Sequence, residues 1–455
     1  MAAQHNDTAT AARHRWTVLI LASTVMMMGY IFWNIISPVS TTLKAPLTEG
    51  GLAWTSAEYG FYTSSYTIFN LFMLMLFFGG IILDKCGIRF TGTAATGAML
   101  FGSIINYYAI TLISPMVYAD LPFTFFGFIP QHIKIQVLVS ALGFGIFGVG
   151  CDITGITISK IITKWFTGHE LASAMGIQVA LARLGTAIAF SFSPVIVQIS
   201  GMNSLLKTGT TLLLFGFILF IVYCFMDKKL DVKCAPKQSH TENTNEDNAF
   251  HFSDLHNVLH NKGFWAIAFL CVLYYASIRT FMNFATDFMV NSYAVDKETA
   301  GWVVSSIPYG AIILSPLFGI LYDRMSHSYR LMTVGCVILT VGLLLLNFPL
   351  LHSVWYALFL MMLIGIAFSL VPAALWPTVP RMVPLRQLGT AYSIIYYIQN
   401  LGLFIVPIWI GNVVDQYTFI TGINYHIPML IFTILSAAAI AMGLILQIWH
   451  NKSHN

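Results

Sequence analysis

Twelve stretches of this chain are each long and apolar enough to cross a lipid bilayer, and no other feature constrains the fold as strongly. A span needs ~20 mostly apolar residues to bridge a hydrocarbon core of ~30 Å. Such stretches fall at 16–37, 58–83, 90–113, 135–159, 171–199, 208–226, 263–291, 299–322, 329–350, 354–379, 388–414 and 425–449. The composition leaves no soluble alternative, because 57% of the residues are hydrophobic and 9% charged, too few polar groups to cover a globule of this length. Spans of that length are those of membrane helices, so the expected fold class is all-α membrane. The first apolar run is too long for a signal peptide and lacks a small-residue cleavage site.

Charge recurs at one place in each half. Gly80-Ile-Ile-Leu-Asp84-Lys85-Cys-Gly87-Ile-Arg89 closes the second span and opens the third, and Gly319-Ile-Leu-Tyr-Asp323-Arg324 closes the eighth. The two aspartates stand half a chain apart, which points to two related bundles. The first string resembles the signature loop of the major facilitator superfamily, and the second its degenerate copy. That resemblance implies the major facilitator fold, twelve transmembrane helices in two pseudo-symmetric six-helix bundles, and a transport function. The chain then divides into an N-terminal bundle (1–226), a cytoplasmic linker (227–262) and a C-terminal bundle (263–455). The linker's lysines, amides and acids have little to bury, with at most a short amphipathic helix near 252–259.

Basic residues orient the spans. With the N-terminus in the cytoplasm, only Lys44, Lys134, Lys207 and Lys297 fall on the outside; the other basic residues beyond the spans lie inside. Both termini are then cytoplasmic. The segment before Trp16 lacks an acidic dileucine, and the outside loops lack a glycosylation sequon, so a bacterial inner membrane is expected. The six cysteines show no metal-ligand spacing, and neither a nucleotide loop nor a nucleophile with its base is legible. The expectation is a non-enzymatic monomer in the bilayer, with no metal, no cofactor, no nucleic-acid partner and a small-molecule substrate.

Three charges inside the spans carry the functional reading. Asp152 on the fourth span and Arg183 on the fifth lie ~12 to 18 Å from the inner face at ~1.5 Å per residue, near mid-membrane. A charge at that depth costs ~2.5 to 3.5 kcal/mol even on lenient insertion scales and should face a wet cavity or a partner. A peptide with free termini suits the pair, its carboxylate on the guanidinium and its ammonium on the aspartate. The competing reading is that Asp152 and Arg183 bridge each other and lock two helices.

Gly148-Val-Gly-Cys-Asp152, Lys164-Trp-Phe-Thr-Gly-His-Glu-Leu171 and Gly176-Ile-Gln-Val-Ala-Leu-Ala-Arg183-Leu-Gly185 resemble helices four and five of the lysosomal dipeptide transporter branch of that superfamily. Ala374-Leu-Trp-Pro377, Gln387-Leu-Gly-Thr-Ala-Tyr392 and Ile398-Gln-Asn-Leu-Gly402 resemble its helices ten and eleven. The resemblance implies movement of small peptides down their gradient, with an acid on helix four and an arginine on helix five touching the substrate. Asp152 and Arg183 match those positions, with Asp in place of the expected Glu.

Arg279 on the seventh span departs from that pattern. A second cation in the opposite bundle would favour anions, which keeps organic or inorganic anions (carboxylate, phosphate-bearing or nitrate-like) as the alternative substrate class; capping by backbone carbonyls or by Asn283 one turn away is the structural alternative. Tyr30, Trp33, Asn34, Tyr275, Trp376, Tyr396, Gln399 and Asn400 are the polar and amphipathic residues at matching depth, expected to include cavity-lining groups. Asp84, Arg89, Asp323 and Arg324 are assigned to the gate, where charges at helix ends bridge neighbouring helices. The first span lacks the Glu-x-x-Glu-Arg pattern of proton-driven peptide symporters, which favours uniport. A receptor that kept the fold and lost turnover is the non-transport alternative.

Overall fold

The computed structural model describes residues 2–121, 131–166, 170–234, 260, 262–324, 328–379, 382–383, 388–419 and 422–454. Helices α1 (Ala2–Asn34), α2 (Ser40–Lys44), α3 (Ser56–Ser65), α4 (Ile68–Phe72), α5 (Met75–Leu112), α6 (Ile135–Phe166) and α7 (Leu171–Cys234) make up the first half. Helices α8 (Lys262–Tyr293), α9 (Lys297–Arg324), α10 (Ser328–Asn347), α11 (Val354–Thr378), α12 (Leu388–Gln416) and α13 (His426–His454) make up the second. Two small antiparallel hairpins, β1 (Tyr118–Asp120) with β2 (His132–Lys134) and β3 (Thr418–Phe419) with β4 (Gly422–Ile423), cap helix ends on one face.

Among the described residues ten helices are long and apolar enough to cross a membrane, yet the chain makes twelve crossings. Helix α7 has 64 residues, ~96 Å at ~1.5 Å per residue, about three times the hydrocarbon thickness. It turns at Gly201, whose φ of 80° and ψ of 172° only glycine adopts without strain, and so holds the fifth and sixth spans. Helix α5 turns the same way at Gly87, inside the signature loop. It carries the end of the second span and all of the third. The second span itself is broken into α3, α4 and the start of α5, since Ser65 and Thr67 turn their hydroxyls back onto the Tyr62 and Ser64 carbonyls and compete with the helical ladder. An even number of crossings puts the start of α1 and the end of α13 on one side, here the terminal face; the opposite side is the distal face.

Helix α6 packs closely on its neighbours through glycines. A Cβ at Gly143 would stand 2.7 Å from the Gly102 carbonyl oxygen, and one at Gly148 would stand 2.1 Å from that of Tyr66. The second of these approaches brings the broken span against the middle of α6.

The two halves meet from mid-membrane to the distal face. Asp415 of α12 accepts the Ser56 and Ala57 amides at 2.7 Å each, capping α3 from the other bundle with a negative charge where the helix dipole favours one. Tyr59 donates to the Asn283 carbonyl and Ser37 to the Asn283 side chain. Gly60 lies against Pro407, Gly411 against Ser56, and Gly301 against Phe190 and Pro194. Phe72 lies edge-on to Phe404 of α12, and beyond it toward the terminal face Met73, Leu74, Phe77 and Phe78 in the first half and Leu317 and Ile320 in the second are exposed. The bundles are therefore sealed at the distal side.

Helix α7 continues through 227–234, the first part of the segment whose composition reads as linker. Asp227 there is buried, within 3.1 Å of Arg89 and 2.9 Å of Lys164, and accepts the Tyr223 hydroxyl. The amphipathic stretch at 252–259 lies outside the described residues.

Candidate functional site

Asp152 is held by the broken second span. Tyr66 donates to one carboxylate oxygen at 2.7 Å and the Asn70 amide to the other at 2.5 Å. The close approach at Gly148 places Tyr66 within reach. Asp152 forms no ion pair with Arg183 among the described residues, so the interhelical lock considered from sequence is not the arrangement found. Its carboxylate is hydrogen-bonded by neutral donors and has no ion-pair partner among the described residues.

Arg183 and Arg279 approach from opposite bundles. The Arg183 guanidinium of α7 lies 4.0 Å from the centre of the Phe368 ring on α11, and that of Arg279 on α8 lies 4.2 Å from the centre of the Trp33 ring on α1. Each cation thus rests on an aromatic face of the other bundle, an interaction worth ~0.5 to 2 kcal/mol. Among the described residues neither arginine takes part in an ion pair. The Asn283 cap considered for Arg279 is not formed, because Asn283 is engaged with Ser37. Tyr30 is an electrostatic neighbour of both arginines and of Asp152, and Tyr275 of both arginines, so the three charges converge on one space.

Aromatic side chains build the walls. Trp33 stacks on Tyr66 with ring centres 4.2 Å apart, and Trp376 stacks on Tyr396 at 4.8 Å while donating to the Tyr275 hydroxyl at 3.2 Å. Tyr392 donates to the Trp376 carbonyl. Asn34 is used in packing, donating to the Tyr30 carbonyl and to Thr186 of α7. Gln399 accepts the Cys271 thiol, and Asn400 is buried on α12. Sequence reasoning missed Tyr66, Asn70 and Phe368. Tyr66 and Asn70 are spaced as i and i+4, a polar pair at mid-membrane that would have singled them out.

Asp287 belongs elsewhere. It sits at the distal seal, paired with Lys44, and also accepts the hydroxyls of Thr41 and Tyr425. Asp287 is buried and Lys44 nearly so, and the ion pair joins the two bundles.

Of the gate residues, Asp84 pairs with Lys160 at 2.6 Å and Arg89 with Asp227. Both bridges stay within the first bundle in this conformation. The side chains of Asp323 and Arg324 lie outside the described residues. The Asp84–Lys160 pair is exposed, so Asp84→Ala is expected to cost only ~0 to 1 kcal/mol of stability. It is expected to change transport rate more than substrate affinity by shifting the balance between the two conformations. Labelling of cysteine probes on the two faces checks this, and unchanged accessibility on both would remove the gating role.

Two helical bundles sealed on one side around charged groups at mid-membrane are the architecture of a secondary transporter. The chain belongs to the Major Facilitator Superfamily, whose model matches residues 18–407 and again 267–452. It is similar to the lysosomal dipeptide transporter MFSD1 of Gallus gallus, 28% identical over 284 residues that make up 60% of this chain and 62% of that protein. The same transporter from Homo sapiens is 25% identical over 410 residues, 89% of this chain and 80% of that protein. In fold the chain is similar to the nucleoside transporter NupG, with a TM-score of 0.71 at 14% identity over 94% of this chain and 99% of that one.

Proposed function

We propose that this protein carries dipeptides or similar small charged solutes across a membrane by alternating access, as a uniporter. Asp152 receives the substrate ammonium and Arg183 its carboxylate, with Tyr30, Trp33, Tyr275, Trp376 and Tyr396 walling the space between them. The observation that carries this reading is that the two charges converge at mid-membrane without neutralising each other. Each therefore presents an unmet charge to whatever enters. The similarity to dipeptide transporters over most of the chain supports the substrate class.

In this reading both termini are cytoplasmic, in a bacterial inner membrane, and the conformation is the inward-facing one. A monomer of two bundles (1–226 and 263–455) joined through 227–262 rocks about the midplane site. Two guanidiniums facing one carboxylate favour a second reading, transport of a plain anion such as a carboxylate or phosphate-bearing solute. Uptake into liposomes with a panel of dipeptides, amino acids and organic anions separates the two. Accumulation of dipeptides supports the first reading; uptake of anions alone overturns it.

A further inference from the structure

A dipeptide with uncharged side chains has one ammonium and one carboxylate, and Asp152 and Arg183 answer both. Arg279 is left over. It reaches the same space from the other bundle, half-buried, with its guanidinium on Trp33 and no ion pair among the described residues. Trp33 is stacked on Tyr66, and Tyr66 donates to Asp152, so Arg279 and Asp152 stand at opposite ends of one aromatic stack. The polar groups further along its own helix are committed: Asn283 to Ser37, and Asp287 to Lys44, Thr41 and Tyr425. Among the described residues this cation is in no ion pair, and Asp152, already bonded to Tyr66 and Asn70, acts on it only as an electrostatic neighbour. Two guanidiniums share that one carboxylate, so a cation held at mid-membrane on an aromatic face with no ion pair of its own is open to an anion.

We propose that the site selects dipeptides carrying a second carboxylate, in an aspartate or glutamate side chain, and that Arg279 is the residue that binds it. The proposal rests on the dipeptide reading above. One fixed carboxylate and two fixed guanidiniums are complemented by one ammonium and two carboxylates, the charge set of an acidic dipeptide. A neutral dipeptide leaves one guanidinium uncompensated in a low-dielectric space, and a basic one adds a cation beside two others. A dicarboxylate without an amine leaves Asp152 facing further negative charge. Arg183 and Arg279 approach from different bundles, so a ligand holding both would also span the interface between them.

Binding of alanyl-glutamate, alanyl-alanine and glutarate to the purified full-length protein in detergent tests this, in the wild type, Arg279→Gln and Arg279→Lys. The wild type is expected to bind alanyl-glutamate about 10- to 100-fold more tightly than alanyl-alanine, the usual worth of a charged hydrogen bond. That ratio is expected to collapse toward one in Arg279→Gln and to survive in large part in Arg279→Lys. A wild-type ratio near one overturns the proposal while leaving dipeptide binding intact, and it is read without any variant. An unchanged ratio in Arg279→Gln, or glutarate binding as tightly as alanyl-glutamate, also overturns it. Binding of neither dipeptide removes the dipeptide reading, and this proposal with it.

Discussion

Asp152→Asn and Arg183→Gln are each expected to abolish uptake of dipeptides with free termini while leaving the protein folded. Either change removes the countercharge of one substrate terminus inside a cavity that screens charge poorly, and an unpaired charge in such a place costs about 3 to 5 kcal/mol. That corresponds to a loss of roughly 100- to 1,000-fold or more in affinity. Folding should survive because neither group is in an ion pair within the described residues: Asp152 is held by Tyr66 and Asn70, both of which can also bond an asparagine, and Arg183 rests on a ring. Uptake into liposomes, with the amount of folded protein measured by gel filtration, checks this. Transport at the wild-type rate by both variants would remove the pair from the site.

Gly411→Leu is expected to break the distal seal and hold the protein open on that side. A Cβ at Gly411 would stand 2.2 Å from the Ser56 carbonyl oxygen and 3.0 Å from the Ala57 Cα, backbone atoms that cannot rotate away. On the facing helix, Gly60 meets the Pro407 carbonyl at a matching 2.3 Å, so the crossing cannot relax by a small shift. The same displacement pulls Asp415 from the Ser56 and Ala57 amides it caps. A carrier that cannot reach one of its two states cannot complete a cycle, so uptake should fall by about tenfold or more. Cysteine at Ser40, buried in this conformation, should become labelled by a thiol reagent applied from the distal face. Unchanged labelling would show that the glycine crossing does not control the seal.

Hydropathy made the spans legible because the bilayer imposes a length on each of them, and the two turns inside long helices, at Gly87 and Gly201, leave the count of crossings unchanged. Asp152, Arg183 and Arg279 were legible as candidates for an equally simple reason, since charge at mid-membrane is costly wherever it occurs. Their partners were not. Tyr66 reaches Asp152 through a break in its own span and a glycine on the neighbouring helix, and Phe368 meets Arg183 across the bundle interface. Neither contact leaves a local pattern in the chain. Lys44 read from sequence only as a basic residue on the outside, yet it pairs with Asp287, and Asp415, which drew no notice there, caps α3, both across the distal seal. Asp227 was legible as the first residue of a polar run, while its burial against Arg89 and Lys164 depends on α7 continuing past it.

The central claim is that one site reads both termini of a dipeptide, and competition by blocked analogues tests it most directly. Liposomes containing the wild-type protein would be loaded with alanyl-alanine, and entry of the labelled dipeptide measured in the presence of free, N-acetylated or C-amidated alanyl-alanine. The free form is expected to compete fully, and each blocked form at least about 100-fold more weakly, because each leaves Asp152 or Arg183 without its countercharge. Competition by both blocked forms as strong as that of the free dipeptide would contradict the assignment of Asp152 and Arg183.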